Sequence, residues 1–335
     1  MTYGLVLAEA DSSAGVLRRY DVPTWLWVAF LTSVVVLLLI DLLVLHREAH
    51  EVDMREATVT SAGWIALGVA FTAVVWAILG GDAAGQYITG YVIEKSLAVD
   101  NVFVWAVIFS YFSVPNRYQH RVLFWGIFGA LVLRAIFIFA GVALLERLDW
   151  LLFVFGGFLI FTAIRVYTHE AVNIHPERHP VLRFLRRYVP VSNDYDGQRL
   201  FTRENGRLIA TPLFVVLVLI EATDVVFAVD SVPAILAVSR DPFVVFSSNA
   251  YAILGLRALY FVLAGIQGRL IYLNRGLGVI LAYVGAKMII SEWYHIDAFV
   301  SLGIVLAILT VTVVASLRAS ARSDAEVLDH TGGDT

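Results

Sequence analysis

Apolar windows of about 20 residues recur along this chain, and they constrain its fold more than any other feature. A helix needs roughly 20 mostly apolar residues to cross the hydrocarbon core of a bilayer. Of the 335 residues, 59% are hydrophobic and only 16% are charged, which is far from a soluble composition. The sequence therefore predicts an all-α polytopic membrane protein with about nine transmembrane helices. The windows lie near residues 24–45, 59–80, 88–111, 121–144, 149–168, 211–237, 245–266, 273–291 and 297–317.

Arginines in the connectors between these windows predict the orientation of the chain. They are concentrated in alternate connectors, above all in 169–210, a polar stretch with three prolines and room for a short amphipathic helix near 181–188. Because basic connectors stay on the cytoplasmic side, the basic loop 169–210 and the polar tail 318–335 are predicted to be cytoplasmic. The N-terminal segment 1–23 is then extracytoplasmic, and the tail is predicted to be disordered.

Two parts of the chain resemble each other over three successive spans. The first pair of stretches is LAVDN (Leu97–Asn101) and FAVDS (Phe227–Ser231), and the second, one span later, is LVLRA (Leu131–Ala135) and LGLRA (Leu254–Ala258). One span further on, a glycine and a cation recur at the same step of nine residues. The matched residues are Glu94 with Asp224, Asp100 with Asp230, Arg134 with Arg257, Gly156 with Gly278, and Arg165 with Lys287.

This match predicts an inverted repeat of two three-helix units, residues 88–168 and 211–291. Two leading helices (24–80) precede the repeat and one helix (297–317) follows it. Three spans is an odd number, so the second unit enters the membrane from the opposite side to the first. Inverted repeats in transporters place the substrate site near the midplane, where the two units face each other.

Acidic residues lie deep inside the first span of each unit. An unpaired charge at the centre of a membrane helix costs about 3 kcal/mol or more, so these acids need cations, water or a metal ion. Oxygen ligands, with no cysteine in the chain and no histidine at the centre of a span, suit Mg²⁺, Ca²⁺ or Mn²⁺ rather than Zn²⁺ or Cu⁺. The predicted metal ligands are Glu94, Asp100, Asn101, Glu221, Asp224 and Asp230.

Structural ion pairing between helices is the alternative reading of these acids, with Arg134, Arg257, Lys95 and Lys287 as partners. Arg134 and Arg257, one in each unit, are predicted to compensate the charge of carboxylates that hold no metal. Lys287, like Arg165, is predicted to reach towards the membrane surface.

Two further residues carry predictions about helix geometry. Asp41, near the cytoplasmic end of the first span, is either a gate or a helix-packing acid, and the sequence does not choose between them. Asp224 and Pro233 lie in a span whose acids are spaced by six residues, about 120° apart on an ideal helix. Either the helix unwinds there, which a proline inside it would favour, or each carboxylate faces a different neighbour; the sequence leaves both open.

Several classes of function are excluded by what the sequence lacks. Without cysteine there are no disulfides, zinc–thiolate sites, iron–sulfur clusters or thiol catalysis. No phosphate-cradling loop and no deep Ser/His or paired-Asp protease signature is present. No basic module with interleaved aromatic residues is present either. The sequence predicts neither an enzyme nor a nucleic-acid-binding protein, and no cofactor apart from a transported cation.

The stretches EKSLAVDN (Glu94–Asn101) and IEATDVVFAVDSVPA (Ile220–Ala234) resemble the TerC family of integral membrane proteins, and its Alx-like branch in particular. The resemblance extends over about residues 40–310. It implies a multi-pass protein of the bacterial inner membrane, linked to Mn²⁺ export and to tellurite and alkaline stress. The acids of the family's spans correspond to five residues of this chain, namely Glu94, Asp100, Glu221, Asp224 and Asp230.

Residues and resemblance together predict a secondary transporter that exports Mn²⁺ in exchange for protons, with other divalent cations left open as substrates. The alternative is a non-transporting membrane partner that delivers metal to exported metalloenzymes, or a scaffold in a tellurite or alkaline stress complex. The expected partners are the divalent cation, protons and the bilayer, with the protein-translocation channel as a candidate protein partner. The oligomeric state is left open.

Overall fold

Ten α-helices and one two-stranded ribbon make up the described part of the chain. The computed structural model describes residues 20–41, 54–148, 150–168, 182, 185, 187–192, 194–204, 207–266, 271–291, 293–294 and 296–332. The elements are α1 (Thr24–Ile40), α2 (Met54–Leu79), α3 (Gly81–Tyr111), α4 (Asn116–Leu145), α5 (Leu151–Thr168), β1 (Phe201–Glu204), β2 (Arg207–Ala210), α6 (Pro212–Leu236), α7 (Pro242–Ile253), α8 (Leu256–Ile266), α9 (Leu273–Ile290) and α10 (Ala298–Gly332).

Four of these helices, α2, α4, α6 and α10, are long and apolar enough to cross a membrane, and α7 with α8 forms a fifth candidate bent by 44°. Helix α3 has 31 residues, but acids and a lysine interrupt its apolar sequence. Helices α1 and α5 are apolar but shorter. The fold is therefore that of a helical multi-pass membrane protein. A helix lies over each predicted window, but that nine of them cross the membrane stays a prediction.

Helix α6 is continuous from Pro212 to Leu236, so of the two alternatives for the sixth span the break near Pro233 is absent. Pro233 lies in the last turn of this helix, and its missing N–H removes one hydrogen bond to the preceding turn. The break lies instead between α7 and α8, where Gly255 adopts a φ of +80°. The sequence signal for it was a glycine, a residue that reaches positive φ without steric cost.

The polar segments also differ from the prediction. Part of the loop 169–210 forms an antiparallel ribbon in which Phe201 pairs with Ala210. Half of the predicted helix near 181–188 lies outside the described residues, and the described half, Leu182, Leu185, Arg187 and Tyr188, is helical. Helix α10 continues through the predicted tail as far as Gly332; residues 318–332 include three alanines and two arginines, which favour a helix, and no proline.

Helix α3 is the centre of the bundle, since α2, α6, α7, α8 and α10 all pack against it. Around it, α4 packs against α6, and α5 packs against α9. The α5–α9 contact is close because a glycine faces backbone at each crossing point: a Cβ added to Gly285 would lie 2.9 Å from the Gly156 carbonyl oxygen. A Cβ added to Gly278 would lie 3.1 Å from the Ala163 carbonyl oxygen.

Candidate cation site

Helices α3, α4 and α6 bring two of the predicted ligands to one arginine. The Arg134 guanidinium on α4 forms a close ion pair with Glu94 Oε1 of α3, and its Nη2 lies 3.4 Å from Asp224 Oδ1 of α6. Glu94, Asp224 and Arg134 are 0%, 3% and 1% exposed. Arg134 therefore bonds an acid from each of the two matching units, and its role in compensating the charge of carboxylates that hold no metal stays a prediction.

Asn101, another predicted ligand, joins this cluster. Its Nδ2 donates a hydrogen bond of 3.4 Å to Asp224 Oδ1, the oxygen that Arg134 also contacts. Three buried oxygens on α3 and α6 have no hydrogen-bond partner. They are the carboxylate oxygens Glu94 Oε2 and Asp224 Oδ2 and the hydroxyl oxygen Ser231 Oγ. A buried polar atom without a partner costs about 1–3 kcal/mol. These carboxylate oxygens are therefore available to a bound cation.

Glu221 lies one helical turn before Asp224 on α6, as its i, i+3 spacing requires. Its carboxylate rests on α4 at Gly129: a Cβ added to this glycine would lie 2.1 Å from Glu221 Oε1 and 2.4 Å from Oε2. Glu221 Oε2 has no hydrogen-bond partner. Gly129 thus makes the space that holds this third carboxylate beside the Arg134 cluster.

Gly129→Ala is expected to displace the Glu221 carboxylate and lower the affinity for the substrate cation by roughly tenfold, the lower end of what losing an outer-shell partner costs. The added methyl group would overlap the Glu221 carboxylate. Because the methyl group is fixed to the backbone of α4, the carboxylate has to move. The measurement is cation binding to the purified protein by isothermal titration calorimetry.

Gly157→Ala is the matched control, because a Cβ at this helical glycine would meet nothing within 4 Å. It should leave the affinity unchanged, since alanine is at least as good as glycine in a helix. Equal affinities for Gly129→Ala and the wild-type protein would show that Gly129 does not position Glu221.

The side chains of the two remaining predicted acids, Asp100 and Asp230, lie outside the described part of the structure, although their backbones are helical. Among the side chains that the structure does describe, no three His, Cys, Asp or Glu residues are grouped closely enough to hold a metal ion. The full ligand set of Glu94, Asp100, Asn101, Glu221, Asp224 and Asp230 therefore stays a prediction.

Arg257 contacts none of Glu94, Glu221 and Asp224, the predicted acids whose side chains the structure describes. It forms a close ion pair with the Asp41 carboxylate, and its Nη2 donates a hydrogen bond of 3.0 Å to the Asp41 backbone carbonyl. Both residues are buried, at 2% and 8% exposed. Asp41 follows the last turn of α1, and Arg257 follows the α7–α8 break, so this pair fastens α1 to the broken helix. Among the alternatives for Asp41, the contact fits helix packing, and it does not test the gate.

Two lysines also differ from expectation. The Lys95 ammonium donates to the Ala252 carbonyl oxygen at 3.0 Å, at the C-terminal end of α7, and no carboxylate partner is described for it. Lys287 does not reach the membrane surface as predicted. It is 4% exposed and donates a 2.7 Å hydrogen bond to Ser301 of α10, because α10 covers the face of α9 on which it lies.

Sequence reasoning missed Gly129 and the role of Lys95. A signal near Gly129 existed: Gly126 and Ala130, on either side of it in an apolar span, have the small-xxx-small spacing that indicates close helix approach in membranes. For Lys95 the sequence offers no signal, because the carbonyl that it contacts is exposed only by the break after α7.

A bundle of apolar helices around a buried cluster of acids and arginine defines a polytopic integral membrane protein with a charged centre. Comparison with known proteins gives the family. A model described as the integral membrane protein TerC family matches residues 79–324, and the chain belongs to this family. No solved structure matches the chain.

Similar proteins cover nearly the whole chain. The uncharacterized membrane protein STKORF319 of Myxococcus xanthus is 49% identical over 304 residues, which is 90% of this chain and 95% of that protein. The Alx protein of Escherichia coli (strain K12), whose name describes a candidate membrane-bound redox modulator, is 46% identical over 309 residues, 89% of this chain and 96% of Alx. An uncharacterized membrane protein of Rickettsia bellii is 36% identical over 293 residues, 87% of this chain and 96% of that protein.

Proposed function

We propose that this protein is a secondary transporter of the bacterial inner membrane that exports Mn²⁺ in exchange for protons, through a site centred on Glu94 and Asp224. The single observation that carries the proposal is the convergence of these two acids, from matching stretches of the chain, on a buried cluster in which each keeps one oxygen without a partner. Nine spans, with the N-terminus outside and the C-terminus in the cytoplasm, belong to the same proposal.

The charge of the described cluster favours a cation. Two carboxylates, Glu94 and Asp224, contact the one guanidinium of Arg134, and a third, Glu221, lies one helical turn before Asp224 on α6. Breaking or omitting the partner of a buried charge costs about 3–5 kcal/mol, so purely structural ion pairing would leave too much negative charge uncompensated. A dication, or protons in its place, supplies what is missing.

The packing of the helices supports the inverted repeat. In the sequence match Gly156 corresponds to Gly278, so Ala163, seven residues later, corresponds to Gly285. An exchange of the two units turns the contact of Gly156 with Gly285 into a contact of Gly278 with Ala163, and both contacts exist. The same exchange relates the α3–α7 contact to the α4–α6 contact. Such pairs are what a two-fold axis between the units would produce.

Transport then follows from what the buried groups can do. Oxygens of Glu94, Asp224 and Glu221 replace water around the incoming cation, and Asn101 keeps the Asp224 carboxylate oriented. Cation and guanidinium repel each other, so Arg134 must withdraw from the carboxylates as the cation binds. When the cation leaves, burial favours the neutral form of a carboxylate, which gives protons a place in the return step.

The choice of Mn²⁺ rests on family resemblance, since oxygen ligands also suit Mg²⁺ and Ca²⁺. The name of the Alx relatives describes redox modulation. A chain without cysteine has no thiol for that chemistry. Manganese changes oxidation state readily, so a protein that moves it would alter redox balance without needing a thiol of its own.

The decisive experiment is flux through the purified protein in liposomes with an imposed pH gradient. Mn²⁺, Mg²⁺, Ca²⁺ and Zn²⁺ are offered in parallel, and proton movement is followed with a pH-sensitive dye. We expect Mn²⁺ uptake that collapses when the gradient is removed and that exceeds leakage into protein-free liposomes. Absence of flux for every cation, together with stable co-purifying membrane partners, would favour the metal-delivery or scaffold role instead.

A further inference from the structure

Asn249 on α7 carries a buried amide that bonds nothing in the protein. It is 0% exposed, and neither its Oδ1 nor its Nδ2 has a hydrogen-bond partner. Buried polar side chains are nearly always hydrogen-bonded, because a buried polar atom without a partner is costly. A buried amide with both atoms unpartnered therefore indicates a group that a ligand or water satisfies.

The contacts between α3 and α7 give the height of Asn249 along the bundle. A Cβ added to Gly90 of α3 would lie 3.0 Å from Ser248 Oγ of α7. The Lys95 ammonium of α3 donates to the carbonyl oxygen one turn after Ser248. Both contacts advance along the two helices together, so α3 and α7 run parallel here. Glu94 lies between the two contacts on α3 and is therefore level with the turn of α7 that contains Asn249.

The contacts of α4 give the same height for Arg134. Phe139 of α4 lies against Phe246 of α7, with ring centroids 5.8 Å apart. Nearer the start of α4, Gln119 accepts a hydrogen bond from the Tyr260 hydroxyl of α8, so α4 runs antiparallel to α7 and α8. Arg134 lies between these two contacts, close to the first. It is therefore level with the turn of α7 that follows Phe246.

The direction of the Asn249 side chain follows from the same contacts. Ser248 faces α3 and Phe246 faces α4. Asn249 lies between these directions, about 100° round the helix from Ser248 and about 60° from Phe246. Helices α6 and α7 both pack against α3 and α4, so the Glu94–Arg134 ion pair, which joins α3 to α4, crosses the space between α6 and α7. Helix α6 reaches this pair from one side, and Asn249 faces it from the other.

We propose that the amide oxygen of Asn249 is a further ligand of the substrate cation. It would bind together with Glu94 Oε2 and Asp224 Oδ2, the two carboxylate oxygens of the cluster that also lack a partner. Amide oxygens are ligands that Mn²⁺, Mg²⁺ and Ca²⁺ accept. A neutral ligand fills a coordination position without adding negative charge that would have to be compensated when the cation leaves. The assignment rests on the proposed function, since it needs a cation at this cluster.

The test measures cation affinity and stability separately on the purified protein in detergent. Asn249→Leu removes both amide atoms, and isothermal titration calorimetry with MnCl₂ and with MgCl₂ should show affinities lower by roughly tenfold or more. With a chelator in place of the cation, the thermal midpoint of the variant should equal or exceed that of the wild-type protein, because two unpartnered buried atoms are gone. An amide that only supports packing gives the opposite pattern, a lower midpoint with unchanged affinity. Asn249→Ala makes the same comparison without added bulk if the leucine variant does not fold.

Asn249→Asp tests whether the oxygen is what matters. It keeps an oxygen in the same place, so it should recover most of the affinity that Asn249→Leu loses. A loss as large as that of the leucine variant would overturn the assignment.

Ser247→Ala is the matched control on the same helix. Ser247 is also 0% exposed, and its hydroxyl donates to the carbonyl oxygen of Val244, within α7. It lies about 160° round the helix from Asn249, so its loss should leave the affinity unchanged. Wild-type affinity in both Asn249→Leu and Asn249→Ala would overturn the assignment alone. A wild-type protein that binds neither cation would contradict the proposed function and the assignment together.

Discussion

Asp224→Asn is expected to reduce cation flux in liposomes by a factor of roughly 10–100 or more, because losing even an outer-shell partner of a metal costs that much. Asp224 contributes one charge and an unpartnered Oδ2, and it is the residue that Arg134 and Asn101 both contact. Asparagine keeps the shape of the side chain but is neutral, so the variant loses the negative charge that Asp224 contributes to the cluster. The measurement is the initial rate of Mn²⁺ uptake at several concentrations, with wild-type protein reconstituted at the same density.

Asp82→Asn is the matched control, since Asp82 is an exposed acid in the first turn of α3. Its neutralisation should leave the rate within about a factor of two, because the charge is solvated and its interaction with distant groups is screened. The thermal midpoint should separate function from folding: Asp224→Asn leaves the Arg134–Glu94 pair in place, so the protein should still fold. Full flux from a folded Asp224→Asn variant would exclude the proposed site.

The helices were predictable because a bilayer imposes a length and a hydropathy on every segment that crosses it. The same constraint made the acids stand out: Glu94, Glu221 and Asp224 are costly at depth unless something compensates them. The convergence of Glu94 and Asp224 followed from the internal match between the two stretches of sequence. The first two inferences use the cost of exposing a polar group to hydrocarbon, which is large enough to read from sequence alone.

Partner choice was not predictable in the same way. Arg134 and Arg257 look equivalent in sequence, yet one bonds the repeated acids and the other bonds Asp41. The difference arises because the α7–α8 break changes the direction of the first turn of α8, which carries Arg257. Pro233 left open a break in the sixth span, whereas the break lies at Gly255 in the next one. Lys287 was misassigned because sequence does not reveal that α10 covers it.

Gly255→Ala is expected to be the most damaging glycine substitution in the described chain. Its positive φ, +80°, strains any residue with a side chain by about 1–3 kcal/mol. An added Cβ would also lie 2.4 Å from both Cβ and Cγ of Trp64 on α2. These atoms stand next to the Trp64 backbone and cannot swing aside, so overpacking adds about another 1–3 kcal/mol. The measurement is the thermal unfolding midpoint in detergent.

Gly80→Ala separates the two contributions, because Gly80 also directly precedes a helix and has a φ of +94°, but a Cβ there would meet nothing within 4 Å. It should show backbone strain alone and lose clearly less stability than Gly255→Ala. Equal losses would mean that the contact with Trp64 contributes nothing. A larger loss at Gly255 would show that α2 fixes the break, and therefore also the turn from which Arg257 reaches Asp41.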